Sequence, residues 1–147
     1  MEKTMTKQDV IQFANENPAS FLATSENHQP HVRGFLLWFA DETGFYYHTG
    51  STKRVYDQLT NNPKAEACFT KMVSQTEMTM MRVQGDVEFI QDEELKKRLL
   101  SERPWLNMEL AKSSTIQLII FKLVNCQAHF WDMASNLKER EAEVIKF

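Results

Sequence analysis

The 147 residues carry a net charge of −3, with 42% hydrophobic and 25% charged side chains, as expected for a single globular domain over residues 1–147. Four Gly and four Pro exclude a low-complexity chain. The slight negative charge excludes a generally basic surface for nucleic acid or anionic membrane. The N-terminal residues lack the apolar segment of a signal peptide, and no apolar run is long enough to span a membrane. We therefore expect a cytoplasmic protein.

The first predicted element is a helix, with Thr6 and Asp9 as its N-terminal capping pair and an end before Pro18. Two apolar runs then flank a polar turn that holds Asn27 and Pro30. Strand-like runs on both sides of a short polar turn predict a β-hairpin.

The segment that follows predicts a third strand, a helix and a fourth strand. The aromatic strand covers residues 45–49, and Ser51 or Thr52 is in position to cap a helix that ends before Pro63. The next strand covers residues 65–70.

The second half of the chain predicts two long strands around a charged helix. Apolar and polar residues alternate over residues 78–89, and Gly85 indicates a bulge or a close backbone approach. Residues 92–103 have helical periodicity. The apolar run over residues 115–131 is too long for one flat strand, so we expect a bend or two strands near Asn125. Together these elements predict a mainly β fold, an antiparallel barrel with inserted helices.

Motifs for metal or nucleophilic catalysis are absent from the sequence. There is no Walker loop, GxGxxG, GxSxG or HExxH, and the four histidines lack ligand spacing. Cys68 and Cys126 have no CxxC spacing and lie in apolar runs, which favours buried, reduced thiols. The sequence therefore predicts no metal site.

Residues that suit a phosphate group cluster where the third strand meets the second helix. Hydroxyls, backbone N–H groups and two cations meet there at a helix N-terminus. The cluster comprises Thr49, Gly50, Ser51, Thr52, Lys53 and Arg54. Cations at this end oppose the helix macrodipole by about 0.3–1 kcal/mol each. Either a bound dianion compensates for them, or both side chains extend into solvent.

A second candidate for anion binding is Arg33, which lies in an otherwise apolar strand. An arginine in such a strand is costly unless it pairs with an anion or extends past an edge. The adjacent Gly34 would let a flat ligand approach the backbone. Aromatic residues near it either form a wall for such a ligand or belong to the core. They are Trp38, Phe39, Tyr46 and Tyr47.

Four segments in this order resemble the pyridoxamine-phosphate-oxidase-like FMN-binding split-barrel superfamily, and within it bacterial general stress proteins. They are FLATSENHQPHVRGF, FYYHTGSTKRVYDQLTNNPKAEACF, RVQGDVEFI and the pair Phe130-Trp131. The resemblance implies a six-stranded antiparallel split β-barrel that forms a homodimer. It also implies one FMN per subunit, bound at the subunit interface.

The resemblance assigns ten positions to FMN, nine from one subunit and a tryptophan from its partner. They are Arg33, Gly34, Phe35, Leu36, Tyr47, His48, Thr52, Lys53, Arg54 and, across the interface, Trp131. Substrate-binding positions of true pyridoxamine phosphate oxidases differ here. Trp38 replaces a lysine, Met80 replaces a glutamine, and the tail is acidic instead of basic. Oxidation of vitamin B6 is therefore not expected.

Three functions follow from these observations. The first is an FMN-dependent oxidoreductase that acts on an unidentified small molecule, with a nicotinamide as reductant. The second is a non-catalytic flavin binder with a role in stress. The third is haem binding, which occurs in the same superfamily and would need an axial ligand such as His48 or His129.

Overall fold

The computed structural model describes residues 4–147 as a curved antiparallel sheet with helices packed around it. The α-helices are α1 Lys7–Glu16, α2 Arg54–Asn61, α3 Glu93–Glu102 and α4 Leu106–Leu110, and a 3₁₀ helix covers Asn136–Glu141. The strands are β1 Ala19–Glu26, β2 Gln29–Leu36, β3 Phe39–Asp41, β4 Gly44–Gly50, β5 Lys64–Met72, β6 Met78–Ile90, β7 Leu118–Asp132 and β8 Ile145–Lys146.

The sheet has the strand order β2-β1-β5-β6-β7-β4-β3, and β8 pairs with β7. All pairings are antiparallel, and the sheet is not closed, because β2 and β3 each lie at an end of this order. The six longer strands confirm the mainly β, six-stranded split barrel. The strands β3 and β8 were not predicted, because three and two residues are too few for a readable alternation.

The β1–β2 hairpin is confirmed, but its turn is shorter than predicted. Asn27 and His28 form the turn, with φ values of 51° and 64°. This conformation is typical of a two-residue hairpin loop. Pro30 lies inside β2, opposite Ser25, and not in the turn. Proline is tolerated there because β2 is an edge strand with one unpaired side.

The bulge at Gly85 and the bend at Asn125 are both confirmed. The β6–β7 register shifts between Gln84 and Asp86, and Asn125 has a φ of 52°. A Cβ on Gly85 would lie 2.9 Å from the Val124 carbonyl oxygen. Glycine therefore permits the close approach, and the irregularity lets one long strand bend while staying continuous.

The first helix begins as predicted, and the second does not. Thr6 and Asp9 form a capping box at α1. The N-cap of α2 is Lys53, with no side-chain cap, so the prediction of Ser51 or Thr52 was wrong. Ser51 is used elsewhere: its Oγ accepts a hydrogen bond from the Gln117 N–H at 2.9 Å. This contact fixes the start of α2 against the segment before β7.

Two apolar clusters stabilise the sheet. The larger lies inside the barrel, and its largest fully buried side chains include Phe45, Tyr47, Phe69 and Phe121. The smaller joins α3 and α4 to the outer side of β7 through Leu99, Leu106, Leu118 and Ile120. Burying each large side chain stabilises the folded state by about 1.5–3 kcal/mol.

Neither cysteine is in a disulfide, with Cys126 buried and Cys68 half-buried. None of the described helices has the length and apolar character required to cross a bilayer.

Candidate functional site

The sheet stays open where the outer edge of β2 faces the end of β4. The two strands are not neighbours in the strand order, and the Trp38 N–H, just before β3, donates to the Tyr46 carbonyl at 2.9 Å next to the β3–β4 ladder. The rings of Phe35 and Tyr47 meet edge to face, with centroids 5.4 Å apart. Residues of β2 and of the end of β4 line a gap next to this contact.

We call this gap the split cleft. Its volume is about 360 Å³, and α4 and the start of β7 close its far side. The lining comes from β2 (Gly34, Phe35, Leu36), from the end of β4 and the turn after it (His48, Thr49, Gly50, Thr52, Lys53), and from the far side (Arg103, Trp105, Leu106, Glu109, Leu110, Ile116, Leu118). The far side is therefore mainly apolar, with Arg103 and Glu109 as its charged residues, whereas β4 and the turn after it contribute polar and cationic groups.

A second cleft, the cationic cleft, adjoins the first. It has a volume of about 540 Å³ and lies between β2 and the start of α2. It is lined by Glu26, His31, Val32, Arg33, Gly34, Phe35, Lys53, Arg54, Val55 and Gln58. Gly34, Phe35 and Lys53 line both clefts. Eight of the nine residues that the resemblance assigns to FMN within one subunit therefore line at least one cleft, and Tyr47 is the exception.

The predicted phosphate-binding side chains are free to bind a ligand. Thr52, Lys53 and Arg54 are exposed. Within residues 4–147, no hydrogen bond or ion pair holds the Lys53 ammonium or the Arg54 guanidinium. Exposed cationic side chains can bind a dianion, but they can equally extend into solvent. The phosphate role of these residues therefore stays a prediction.

Arg33 points to the inner face of the barrel, where the chain itself provides acceptors. One terminal nitrogen donates to the Leu22 carbonyl at 3.1 Å and to the Thr24 hydroxyl at 3.0 Å. The other donates to the Gln58 amide oxygen at 2.5 Å. Burial lowers the pKa of the guanidinium. Three of its five N–H donors are used, which leaves two for a ligand in the cationic cleft.

Tyr47 is a core residue in this structure. Its side chain is fully buried, stacks on Phe121 and lies 2.9 Å from the Ser20 hydroxyl. Burial raises the pKa of its phenol. The adjacent His48 points to the opposite face and lines the split cleft. The assignment of Tyr47 to FMN stays a prediction, but its side chain lies away from both clefts.

Sequence reasoning missed Arg103, which follows α3 and lines the split cleft. It donates from one nitrogen to His48 Nε2 at 2.5 Å and from the other to the Leu37 carbonyl at 2.9 Å. Burial, followed by the charges of Arg103 and Lys53, lowers the pKa of His48 to about 4. His48 is therefore a neutral acceptor at neutral pH. The only local signal for Arg103 was a cation directly before Pro104.

The backbone of β2 suits a flat polar ligand in the split cleft. Thr49 Oγ1 is buried without a hydrogen-bond partner among the described residues, but Thr49 lies on the same face of β4 as the core residue Tyr47. A Cβ built on Gly34 meets nothing within 4 Å, so the backbone of β2 is accessible there. Since β2 is an edge strand, its outer N–H and C=O groups have no ladder partner. Donors and acceptors of this kind fit the polar edge of a flavin ring.

Trp131 lies on the outer face of the sheet, away from the split cleft of its own subunit. It pairs with Met80, and its indole N–H donates to Asn136 at 3.2 Å. The cross-strand register places Phe21, Leu36 and Met80 on this same face. Phe21 is 55% exposed and Leu36 is 48% exposed. The outer face therefore carries exposed apolar side chains, and the same register places Arg82 and His129 on it as well.

Solved structures with this fold come from several bacterial proteins. A NimC/NimA family protein from Clostridium acetobutylicum has a TM-score of 0.73 at 23% identity, covering 95% of this chain and 92% of its own. General stress protein 26 from Bacillus anthracis has a TM-score of 0.67 at 15% identity, covering 97% and 100%. A haem storage protein from Vibrio cholerae has a TM-score of 0.60 at 14% identity, covering 82% and 89%.

The comparison by sequence gives the family. No curated protein matches the chain. The sequence model of the pyridoxamine 5'-phosphate oxidase family matches residues 6–121, which include β1 to β6 and both clefts' strand residues. The match covers well over half of the chain and confirms the resemblance noted from the four segments. This protein therefore belongs to the pyridoxamine 5'-phosphate oxidase family.

Proposed function

We propose that the protein binds FMN across the two clefts and is an FMN-dependent oxidoreductase for a small molecule. The observation that carries this proposal is the junction of an apolar-walled cleft with a cationic one, through Gly34, Phe35 and Lys53. A phosphorylated planar cofactor needs an apolar cleft for its ring and an adjoining cationic cleft for its phosphate. Flavin binding in this family supports the proposal.

In this arrangement the phosphate occupies the cationic cleft. Lys53 and Arg54 provide charge, and Arg33 has two N–H donors left. Thr52, which lines the adjoining split cleft, provides a hydroxyl next to Lys53. Hydrogen bonds of charged donors contribute about 1.5–3 kcal/mol each. A dianion also removes the unfavourable interaction of two cations with the N-terminus of α2.

The ring system occupies the split cleft beside the backbone of Gly34, Phe35 and Leu36. Unpaired backbone groups of the β2 edge suit the pyrimidine part of the ring, and Trp105 belongs to the apolar wall opposite. A bound flavin supplies reversible one- and two-electron chemistry, while the protein contributes binding, orientation and exclusion of water. Stacking space above the ring is sufficient for a nicotinamide reductant.

The structure favours flavin over haem in this site. Both histidines proposed as axial ligands have their Nε2 atoms in hydrogen bonds to arginine. His48 accepts from Arg103 at 2.5 Å, and His129 lies 2.9 Å from the Arg82 terminal nitrogen. Iron ligation through Nε2 would break these bonds and place a metal cation beside a guanidinium.

We also propose that the protein is a homodimer through the outer face of the sheet. The exposed apolar side chains Phe21, Val32 and Leu36 lie on one face, in the register that includes Trp131. Covering such a patch with a second copy is the symmetric solution. Leu36 also lines the split cleft, so a partner on this face would adjoin the cofactor.

An absorption spectrum of the purified protein, before and after addition of FMN, tests the cofactor. We expect flavin bands near those of bound FMN and much weaker binding of riboflavin, which lacks the phosphate. Equal affinity for riboflavin and FMN would contradict the assignment of the cationic cleft. Anaerobic titration with NADH and NADPH then separates the functions: rapid bleaching supports the oxidoreductase, whereas an inert flavin supports the non-catalytic binder.

A further inference from the structure

We propose that Arg103 is the carboxylate-binding residue of the split cleft, and that the molecule recognised beside the flavin is an apolar or aromatic carboxylate. This inference rests on the proposed function, since it names the class of substrate for that site. Arg103 is outside every set of residues that the sequence pattern assigned to the cofactor.

The position of Arg103 is determined by the end of α3. It is the C-cap of that helix and precedes Pro104, which keeps its backbone out of the helical region. Its side chain then reaches across the cleft, where His48 and the Leu37 carbonyl orient the guanidinium. Two of its five N–H donors are used in these bonds, so three remain available.

Arg103 is a half-buried cation without a direct ion pair among the described residues, although the charge of the exposed Glu102 acts on it. No ion pair within 4.0 Å involves it in residues 4–147. The neighbouring Glu102 is held by Arg98 at 2.7 Å and by the Trp38 indole at 3.1 Å. Glu109, which also lines the cleft, is held by Lys112 at 3.0 Å. Removing a charge from water without a counter-ion is costly, and an incoming anion would offset that cost.

The shape of the ligand follows from the wall beside Arg103. Trp105, Leu106, Leu110 and Ile116 form an apolar surface on the same side of the cleft. A guanidinium binds a planar carboxylate through two parallel hydrogen bonds, a geometry that an ammonium cannot match. The combination selects a carboxylate joined to an apolar or aromatic body.

Benzoate and benzamide are suitable probes because they share a ring and differ in charge. We would titrate each into the FMN-loaded protein and follow the flavin absorption spectrum. We expect benzoate to bind at least tenfold more tightly than benzamide in the wild-type protein. In Arg103→Gln this preference should disappear, and in Arg103→Lys it should be partly retained. The control Arg140→Gln, an exposed arginine outside both clefts, should keep the full preference.

Calorimetric titrations of both probes into the protein without FMN separate this inference from the proposed function. If the protein binds no FMN, the proposed function fails, but a preference for benzoate that depends on Arg103 still supports the anion site. Equal binding of the two probes, or a preference that survives Arg103→Gln, would overturn the inference. A loss of FMN affinity of more than tenfold in Arg103→Lys would overturn it as well, since Arg103 would then bind the cofactor.

Discussion

The Ser20 hydroxyl and the Tyr47 phenol lie 2.9 Å apart in the barrel interior, and the same serine donates to the Phe35 carbonyl at 2.6 Å. These two contacts connect β1, β2 and β4 directly beside the split cleft. The opening between β2 and β4 therefore has a fixed hydrogen-bonded floor, which sets the distance between the two walls.

Tyr47→Phe tests this floor. The substitution removes one buried hydrogen bond, while Ser20 keeps its bond to Phe35, so we expect the free energy of unfolding to fall by about 0.5–1.5 kcal/mol. FMN affinity should be unchanged, because the phenol lies away from both clefts. Urea denaturation and FMN titration measure the two effects. Tyr46→Phe, which removes a bond to Thr43 instead, is the matched control. A large loss of FMN affinity in Tyr47→Phe would place this side chain in the cofactor site.

Lys53→Ala tests the phosphate site. Lys53 lines both clefts and is not held by any ion pair within residues 4–147, so its removal should leave the fold intact. Loss of one charged hydrogen bond should weaken FMN by about 10- to 100-fold and leave riboflavin unchanged. Fluorescence titration with both flavins measures this. Lys71→Ala, an exposed lysine on β5, should behave as wild type. Equal weakening of FMN and riboflavin would exclude a phosphate contact.

Arg33→Ala should affect both stability and cofactor binding. The guanidinium joins β1 and β2 to α2 through Thr24 and Gln58. Its loss leaves part of that cluster unpaired, and we expect the apoprotein to lose about 1–3 kcal/mol of unfolding free energy. FMN affinity should fall by about 10- to 100-fold if the two remaining donors reach the phosphate. Denaturation of the apoprotein and FMN titration separate the roles: a stability loss without a change in FMN affinity would make Arg33 purely structural.

Trp131→Ala tests the dimer and the shared site together. We expect a weaker dimer and a weaker FMN complex in the same variant, because a ligand held by two subunits links binding to association. Size-exclusion chromatography with light scattering, on protein with and without FMN, measures assembly. Val73→Ala, which removes an exposed apolar side chain in the β5–β6 turn, is the control. A monomer that still binds FMN tightly would exclude the shared site.

Protonation of His48 should destabilise the folded state in mild acid. Its folded pKa of about 4 lies below the ordinary value of 6.5, so the unfolded chain binds more protons between these pH values. Stability is therefore present above pH 6.5 and is lost as the pH falls toward 4, by roughly 1–3 kcal/mol. The difference between wild type and His48→Gln in urea denaturation, from pH 4 to 7.5, isolates this effect from the carboxylates. His28→Gln is the control in an exposed turn. Parallel curves for wild type and His48→Gln would contradict the prediction.

The sequence alone was sufficient for the elements that depend on local patterns. Period-two alternation located β6 with its bulge at Gly85, and the Thr6 and Asp9 pair located the start of α1. The four segments identified the family, and with it the six longer strands. Local patterns failed at β3, β8 and α4, since elements of two to five residues contain too little periodicity to detect.

The tertiary structure decided which side chains enter the site. Neighbouring residues of a strand point to opposite faces, so Tyr47 enters the core while His48 lines the cleft, although the sequence assigned both to the cofactor. Arg33 likewise points inward to partners on α2 that no local pattern places near it. Arg103 meets His48 from 55 positions away, only because α3 packs on the outer side of the curved sheet. Curvature and packing are sums of many distant contacts, and short sequence motifs do not contain them.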